Sequence, residues 1–522
     1  MRTVKICPMG DSLTEGDGNG SAYRYALFRY LYEDGVDFAF VGGQKSGDIR
    51  LPERYAHHAG YCGYLIGDDA LEPGNSLRAV LAQARGEAAQ GDVFIAQEDN
   101  DTATLSTAEA VRQADIILLL IGTNDFGHNR DLDRITERYD RLLETLFTAN
   151  PTVTVYAGVD YDHYGYPPDD KHMSLVRHLL ELDTDAYRAA HGWDLRIVDL
   201  CEPGSLRQTN AYADRPLDDG HPMPRGNEKL ARIWEAAILP QVRRLNAQDG
   251  VSLPVKAVTG IEADLPETLA LRPCEGKCLH AVAVPQDATV PTLLWSSTYP
   301  AVASVDDYGI VTAHEGGTTR IYATTLDGHF TAQTTVFVAG RPIDRAAGMD
   351  EVFADDFSDP AHWTGDTDCS LKTHLHEFYA YWKEPDGHIA ARQTVSLRGR
   401  MWMEFTHQTA NGKWHDDNLD GIYTQVRVGN IALRFLDSAA YICLLENGQP
   451  LGFFRDLPHA AVHQVFGLDW QGHTLTLYRD NEAVLTVTTA SVPAENGGEV
   501  GIDWQKSNIQ NRLFDLRIYT AD

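Results

Sequence analysis

Three short stretches of this chain hold residue types that together can hydrolyse an ester. Gly10-Asp11-Ser12-Leu13 places a serine just past an apolar run, Val4-Lys5-Ile6-Cys7. Gly122-Thr123-Asn124-Asp125 follows a second apolar run, Ile116–Ile121, and Asp218-Asp219-Gly220-His221-Pro222 brings a histidine with two carboxylates close by. A serine hydroxyl is a weak nucleophile at neutral pH. It needs a base within hydrogen-bond reach and a third group that fixes the base. His221 offers the imidazole, Asp218 or Asp219 the orienting carboxylate, and Asn124 a polar donor for the oxyanion formed on attack. This set needs no cofactor and no metal. Taken singly, Gly-Asp-Ser is a common turn, Gly-Thr-Asn-Asp a loop or helix cap, and Asp-x-x-His a surface turn; only together do they make a set for ester hydrolysis.

Such groups meet only if the fold delivers them to one place. Residues 1–246 alternate apolar strands with amphipathic helices, the pattern of a parallel sheet covered on both faces. Strands are expected at Val4–Cys7, Phe38–Val41, Ile116–Ile121, Val153–Ala157 and Leu195–Leu200. Helical stripes run through Tyr23, Leu27, Tyr30 and Leu31, through Ile135, Tyr139, Leu142, Leu143 and Leu146, and through Leu230, Ile233, Trp234, Ala237 and Ile238. Open α/β sheets bind ligands at the carboxyl edge of their strands, and Ser12 and Asn124 both fall there. The stretch Gly86–Ala110 breaks the alternation and reads as an insertion bordering the site. Asp160, Asp162, His163 and Tyr164 also follow a strand, either lining the pocket or lying in a solvated loop.

These blocks resemble the GDSL/SGNH hydrolases, a flavodoxin-like α/β fold. Gly10-Asp11-Ser12-Leu13 is similar to the first block of that family. Gly60-Tyr61-Cys62-Gly63-Tyr64, preceded by His58, is similar to the second, Gly122 to Asp125 to the third, and Asp218 to His221 to the last. The stretches Val4 to Ser12, Tyr23-Arg24, Phe40 to Gly47 and His58 to Ile66 most resemble carbohydrate esterase family 3, whose known members are acetyl xylan esterases. The resemblance covers about residues 1–245. It implies Ser12 as nucleophile, His221 as base and Asp218, three residues earlier, as the orienting acid in preference to Asp219. It also implies an oxyanion hole made by the backbone N–H of Ser12, the backbone N–H of Gly63 and the side-chain amide of Asn124. Cys62 departs from the pattern, standing where the family often has serine.

Beyond residue 246 the style changes to short strands and turns. Residues 255–340, with Leu294-Trp295-Ser296-Ser297, Val302 to Asp306, Gly309 to Ala313 and the ending Ile321 to Val338, resemble the bacterial Ig-like group 2 module. Residues 349–522 resemble a concanavalin-type or laminin-G-like jelly-roll sandwich, with Phe353–Phe357 and Leu513–Tyr519 expected as paired edge strands and Thr474–Tyr478 as a half-buried strand. Tyr379, Tyr381, Trp382, Trp402 and Trp414 either stack on sugar rings or fill the core of this unit. The expected architecture is therefore multidomain: one α/β domain followed by two all-β domains.

A net charge of −31 over 522 residues repels nucleic acid and anionic membranes. No run of 18 or more apolar residues is present to span a bilayer. His57-His58 and His374-x-His376 lack a third metal ligand at recognisable spacing, and Cys274 and Cys278, four apart, are close enough to close a small loop. The amino terminus runs straight into the first strand without a signal peptide, which predicts a cytoplasmic protein, or a secreted one if a leader has been removed. The expected activity is removal of acetyl groups from a xylan-like poly- or oligosaccharide. The alternatives are a sialate or lipid ester as substrate, and a non-catalytic carbohydrate-binding or adhesion protein.

Overall fold

The computed structural model describes residues 2–16, 22–45, 48, 50–67, 76–78, 81, 106–127, 129–159, 170–200, 222, 224–373, 376–379, 386–409, 423–436, 441–455, 464–505 and 511–522. The chain divides into two compact units, Met1–Lys256 and Ala257–Asp522.

The first unit is built on a parallel sheet of six strands: β1 (Val4–Gly10), β2 (Phe38–Phe40), β3 (Ala59–Gly60), β4 (Ile116–Leu120), β5 (Thr154–Val159) and β6 (Asp194–Asp199). Their order is β2-β1-β4-β5-β6, with β3 joined to the end of β1. Alternate residues serve two layers. Cys7, Met9, Ile117, Leu119, Val155 and Ala157 share one core with Tyr139, Leu142 and Leu146 of the helix Ile135–Ala149. On the other face, Gly158 lies against Trp234 of the helix Pro224–Asn246, and Trp234 meets Tyr23 of α2 (Tyr23–Glu33) with ring centroids 6.1 Å apart. A parallel strand buried on both faces must be apolar along its length, which is why Ile116–Leu120 contains nothing but isoleucine and leucine.

β1 runs three residues past the expected Cys7, through Pro8. A proline usually argues against a central strand because it cannot donate to the ladder. Here the carbonyl of Ile6 accepts from Val41 N–H on the β2 side (2.8 Å), that of Gly10 accepts from Tyr61 N–H beyond β3 (3.1 Å), and that of Lys5 accepts from Asp115 N–H on the β4 side (2.8 Å). Even-numbered residues thus address β2 and β3. β2 pairs only as far as Ile6, and β3 begins at Met9. The missing N–H of Pro8 falls in the gap between them.

The second unit is all β among its long elements. Strands between 260 and 338 form sheets of two, four and three strands, and strands between 350 and 521 form sheets of eight and seven. The two large sheets share one core, with Met401, Met403 and Phe405 from one and Val426, Leu433 and Ile502 from the other. Asp350–Asp355 does pair with Asn511–Ala521, antiparallel, but the latter is no edge: Arg400–Thr409 pairs with it as well. The turn at Asp480-Asn481, both residues left-handed, reaches the smaller sheets, where Asn481 Nδ2 donates to the Cys274 carbonyl (2.7 Å) and Gly276 N–H to the Asp480 carbonyl (2.6 Å). No disulfide joins Cys274 to Cys278. Trp402 and Tyr379 are each 2% exposed, so neither offers a ring face to a ligand. Tyr381, Trp382 and Trp414 lie outside the described residues.

Candidate active site

The chain leaves β1 to build β2 on one side and later returns to build β4 on the other. The crevice at such a switch point, outside the carboxyl ends of β1 and β4, is where sheets of this order bind ligands. Gly10 ends β1 opposite Leu120 of β4 and opposite Gly60 of β3. Ser12, Gly63 and Asn124 therefore all leave the same edge of three adjoining strands.

Ser12 opens a one-turn helix, α1 (Ser12–Glu15), and is 4% exposed. Asp11 caps it, its Oδ1 accepting the Leu13 N–H at 3.0 Å; a carboxylate is a favoured cap because it takes an orphan N–H of the first turn. Gly63 occupies a turn closed by Tyr64 N–H to the Tyr61 carbonyl (3.2 Å), and its φ of +75° is one that an L side chain rarely adopts. The Gly63 N–H has no hydrogen-bond partner among the described residues. Asn124 is 8% exposed and uses one amide hydrogen on the Tyr64 carbonyl at 3.0 Å; the second has no partner among the described residues. The neighbouring Asp125 accepts the Ile66 N–H at 3.0 Å. Both bonds stitch the loop after β4 to the loop after β3. Arg138 completes the stitching: it pairs with Asp125 at 2.6 Å and donates to the carbonyls of Gly67 and Arg130, both at 2.9 Å.

Asp218, Asp219 and His221 lie outside the described residues, as do Asp160, Asp162, His163 and Tyr164 and most of the stretch Gly86–Ala110. His58 is buried, and its Nδ1 accepts the Gly60 N–H at 3.0 Å. Among the described residues no group of His, Cys, Asp or Glu is arranged to hold a metal ion, and no helix is long and apolar enough to cross a membrane.

Two carboxyls sit beneath this edge. Burial pushes Asp11 up to about 7, against the Leu13 N–H that favours its charged form, and the charge of Asp125 raises it further. Burial likewise pushes Asp125 up to about 6, although Arg138 draws it down. For Asp11 the folded value lies above the unfolded one, so the folded state holds the proton more tightly. Its contribution to stability is complete below pH about 4 and is lost as pH rises through about 7. Asp11→Asn keeps the oxygen that caps α1 and cannot ionise. Thermal unfolding followed from pH about 4 to about 8 should show the Asn variant losing less stability with rising pH than the wild type. Equal slopes would mean that Asp11 is charged in the folded protein throughout.

Glu15, Arg24 and Arg138 are functional candidates that the sequence reading missed. Each is a buried charged residue, and nothing in local spacing tells a buried charge from a solvated one.

Residues 9–229 match the GDSL-like Lipase/Acylhydrolase family. The first unit thus carries a GDSL-type hydrolase domain. A multidomain esterase of Ruminococcus flavefaciens is 28% identical over 265 residues, which is 48% of this chain but only 30% of that protein. The chain therefore spans under a third of the length of this curated relative. Among solved structures, a family 3 carbohydrate esterase of Clostridium thermocellum is 24% identical and covers 47% of this chain and 100% of its own (TM-score 0.34). One from Talaromyces cellulolyticus is 19% identical and covers 46% and 99% (TM-score 0.31).

Proposed function

We propose that the chain is a serine esterase that removes acetyl groups from a poly- or oligosaccharide. The observation that carries this reading is the convergence of Ser12, Gly63 and Asn124 at the switch point of a GDSL-type domain, with the Gly63 N–H and one Asn124 amide hydrogen not engaged among the described residues. In this reading Ser12 Oγ attacks the ester carbonyl carbon as its proton passes to His221, which Asp218 orients. The oxyanion is held by the N–H groups of Ser12 and Gly63 and by Asn124. The C–O bond to the sugar then breaks, and the sugar oxygen takes the proton from His221. Water, deprotonated by the same imidazole, attacks the acyl-serine; the bond from Ser12 Oγ to the acyl carbon breaks, Oγ takes the proton back from His221, and acetate leaves. The residual 4% exposure of Ser12 favours a small acyl group, and the resemblance of the first 66 residues to carbohydrate esterase family 3 supports a sugar ester. By the resemblances noted for its sequence, the second unit is an Ig-like module followed by a sandwich that tethers polymer.

The test is covalent. A fluorophosphonate should label Ser12, one per chain, and abolish acetate release from acetylated xylan and from para-nitrophenyl acetate together. A chain cut after Lys256 should lose activity on the polymer and keep it on the aryl ester. Labelling elsewhere with hydrolysis intact would remove the esterase assignment. Preference for long-chain acyl esters would replace the sugar ester by a lipid.

A further inference from the structure

We infer that Glu15 is a positioning residue for the oxyanion hole: its carboxylate holds the Cys62 amide and thereby sets the aim of the adjoining Gly63 N–H relative to Ser12. This rests on the roles just given to Ser12 and Gly63. Glu15 is the last residue of α1 and is 4% exposed. A carboxylate so buried is tolerated only with strong partners, and its Oε2 accepts the Cys62 N–H at 2.7 Å. Charge-assisted bonds of this length are among the stronger ones in proteins. In the Tyr61–Tyr64 turn, Tyr61 N–H goes to the Gly10 carbonyl and Tyr64 N–H closes the turn. Cys62 N–H and Gly63 N–H remain, and Glu15 takes the first. With three of the four amides fixed, the fourth has one direction left.

Glu15 is itself fixed from the other side. Arg24, fully buried, donates Nη2 to the Glu15 carbonyl (2.9 Å), Nε to the Thr14 carbonyl (2.8 Å) and Nη1 to the Ala56 carbonyl (3.0 Å). It ties the end of α1 to the chain entering β3. A Cβ built on Gly60 would lie 2.6 Å from the Glu15 nitrogen, so the two backbones touch there. The helix that begins at Ser12 and the loop that carries Gly63 thus share one frame, and Glu15 is the side chain that spans it. Oxyanion donors act through preorganisation, and their supporting contacts affect turnover more than binding.

Two variants separate acceptor placement from charge. Glu15→Gln keeps an acceptor oxygen at the same reach and removes the charge. Glu15→Asp keeps the charge and withdraws the oxygen by one C–C bond, ~1.5 Å. On para-nitrophenyl acetate, E15Q should keep kcat within about threefold of wild type, and E15D should lose about 10- to 100-fold in kcat with KM moved less than about threefold. The opposite order, equal values for both variants, or a change confined to KM overturns the inference. Should E15D fail to fold, E15Q still decides: the Cys62 amide must exchange as slowly as in wild type with kcat retained, and a tenfold loss in kcat or rapid exchange overturns it. If Ser12→Ala stays active, the esterase reading fails instead; if Ser12→Ala is dead while E15D turns over at the wild-type rate, this inference alone fails.

Discussion

Ser12→Ala should lower kcat/KM on para-nitrophenyl acetate by about 10⁴-fold or more. The thermal transition should stay within about 3 °C, because trimming one hydroxyl leaves the packing in place. The size of the effect follows from the chemistry: without the hydroxyl no acyl-enzyme forms, and only oxyanion stabilisation of direct water attack remains. His221→Ala should match it, and the double variant should be no worse than either single one, since nucleophile and base act as a unit. Asp218→Asn should cost far more than Asp219→Asn if the acid stands three residues before the base. Steady-state kinetics with circular dichroism on each of the five variants checks these expectations. A Ser12→Ala protein retaining more than a tenth of wild-type kcat/KM would place the nucleophile elsewhere.

Gly10→Ala should be among the most disruptive methyl additions at the described glycines of the first unit. A Cβ on Gly10 would lie 1.9 Å from the Leu120 carbonyl oxygen, 2.9 Å from its carbonyl carbon and 2.7 Å from Thr14 Oγ1. The first two atoms are backbone of the neighbouring central strand, which is buried along its length, so they cannot swing aside. Overpacking of this kind costs about 3 kcal/mol or more, a large share of a typical stability of about 5–15 kcal/mol. For a unit of this size the unfolding midpoint should fall by roughly 6–12 °C. Gly35→Ala is the comparison: its φ is +71° but nothing lies within 4 Å of the added carbon, so only backbone strain of about 1–2 kcal/mol applies. Differential scanning calorimetry would rank the two. If Gly10→Ala unfolds no earlier than Gly35→Ala, β1 and β4 do not approach as described. The link to function is direct, because the contact that excludes a side chain at Gly10 is also what brings the Ser12 and Asn124 loops to one edge.

Much of this protein is written locally. The apolar runs, the helical stripes and the order of the blocks at Ser12, Gly63, Asn124 and His221 follow from residue type and spacing, because burying a run or a stripe is a property of a few neighbouring residues. That local pattern was enough to place five strands of the first unit and the all-β character of the second. It stopped β1 at Cys7, since a proline cannot be judged without knowing which neighbour its missing N–H would have faced. It also left Trp402 and Tyr379 open between sugar platform and core, because aromatic rings look the same in both roles until their burial is known.

What the tertiary structure decided were the partnerships of charged groups far apart in the chain: Glu15 with the Cys62 amide, Arg24 with three carbonyls, Arg138 with Asp125. A charge marks no destination in the sequence. Whether it is solvated or buried depends on which distant backbone group arrives to meet it, and only the closed sheet brings those groups within reach.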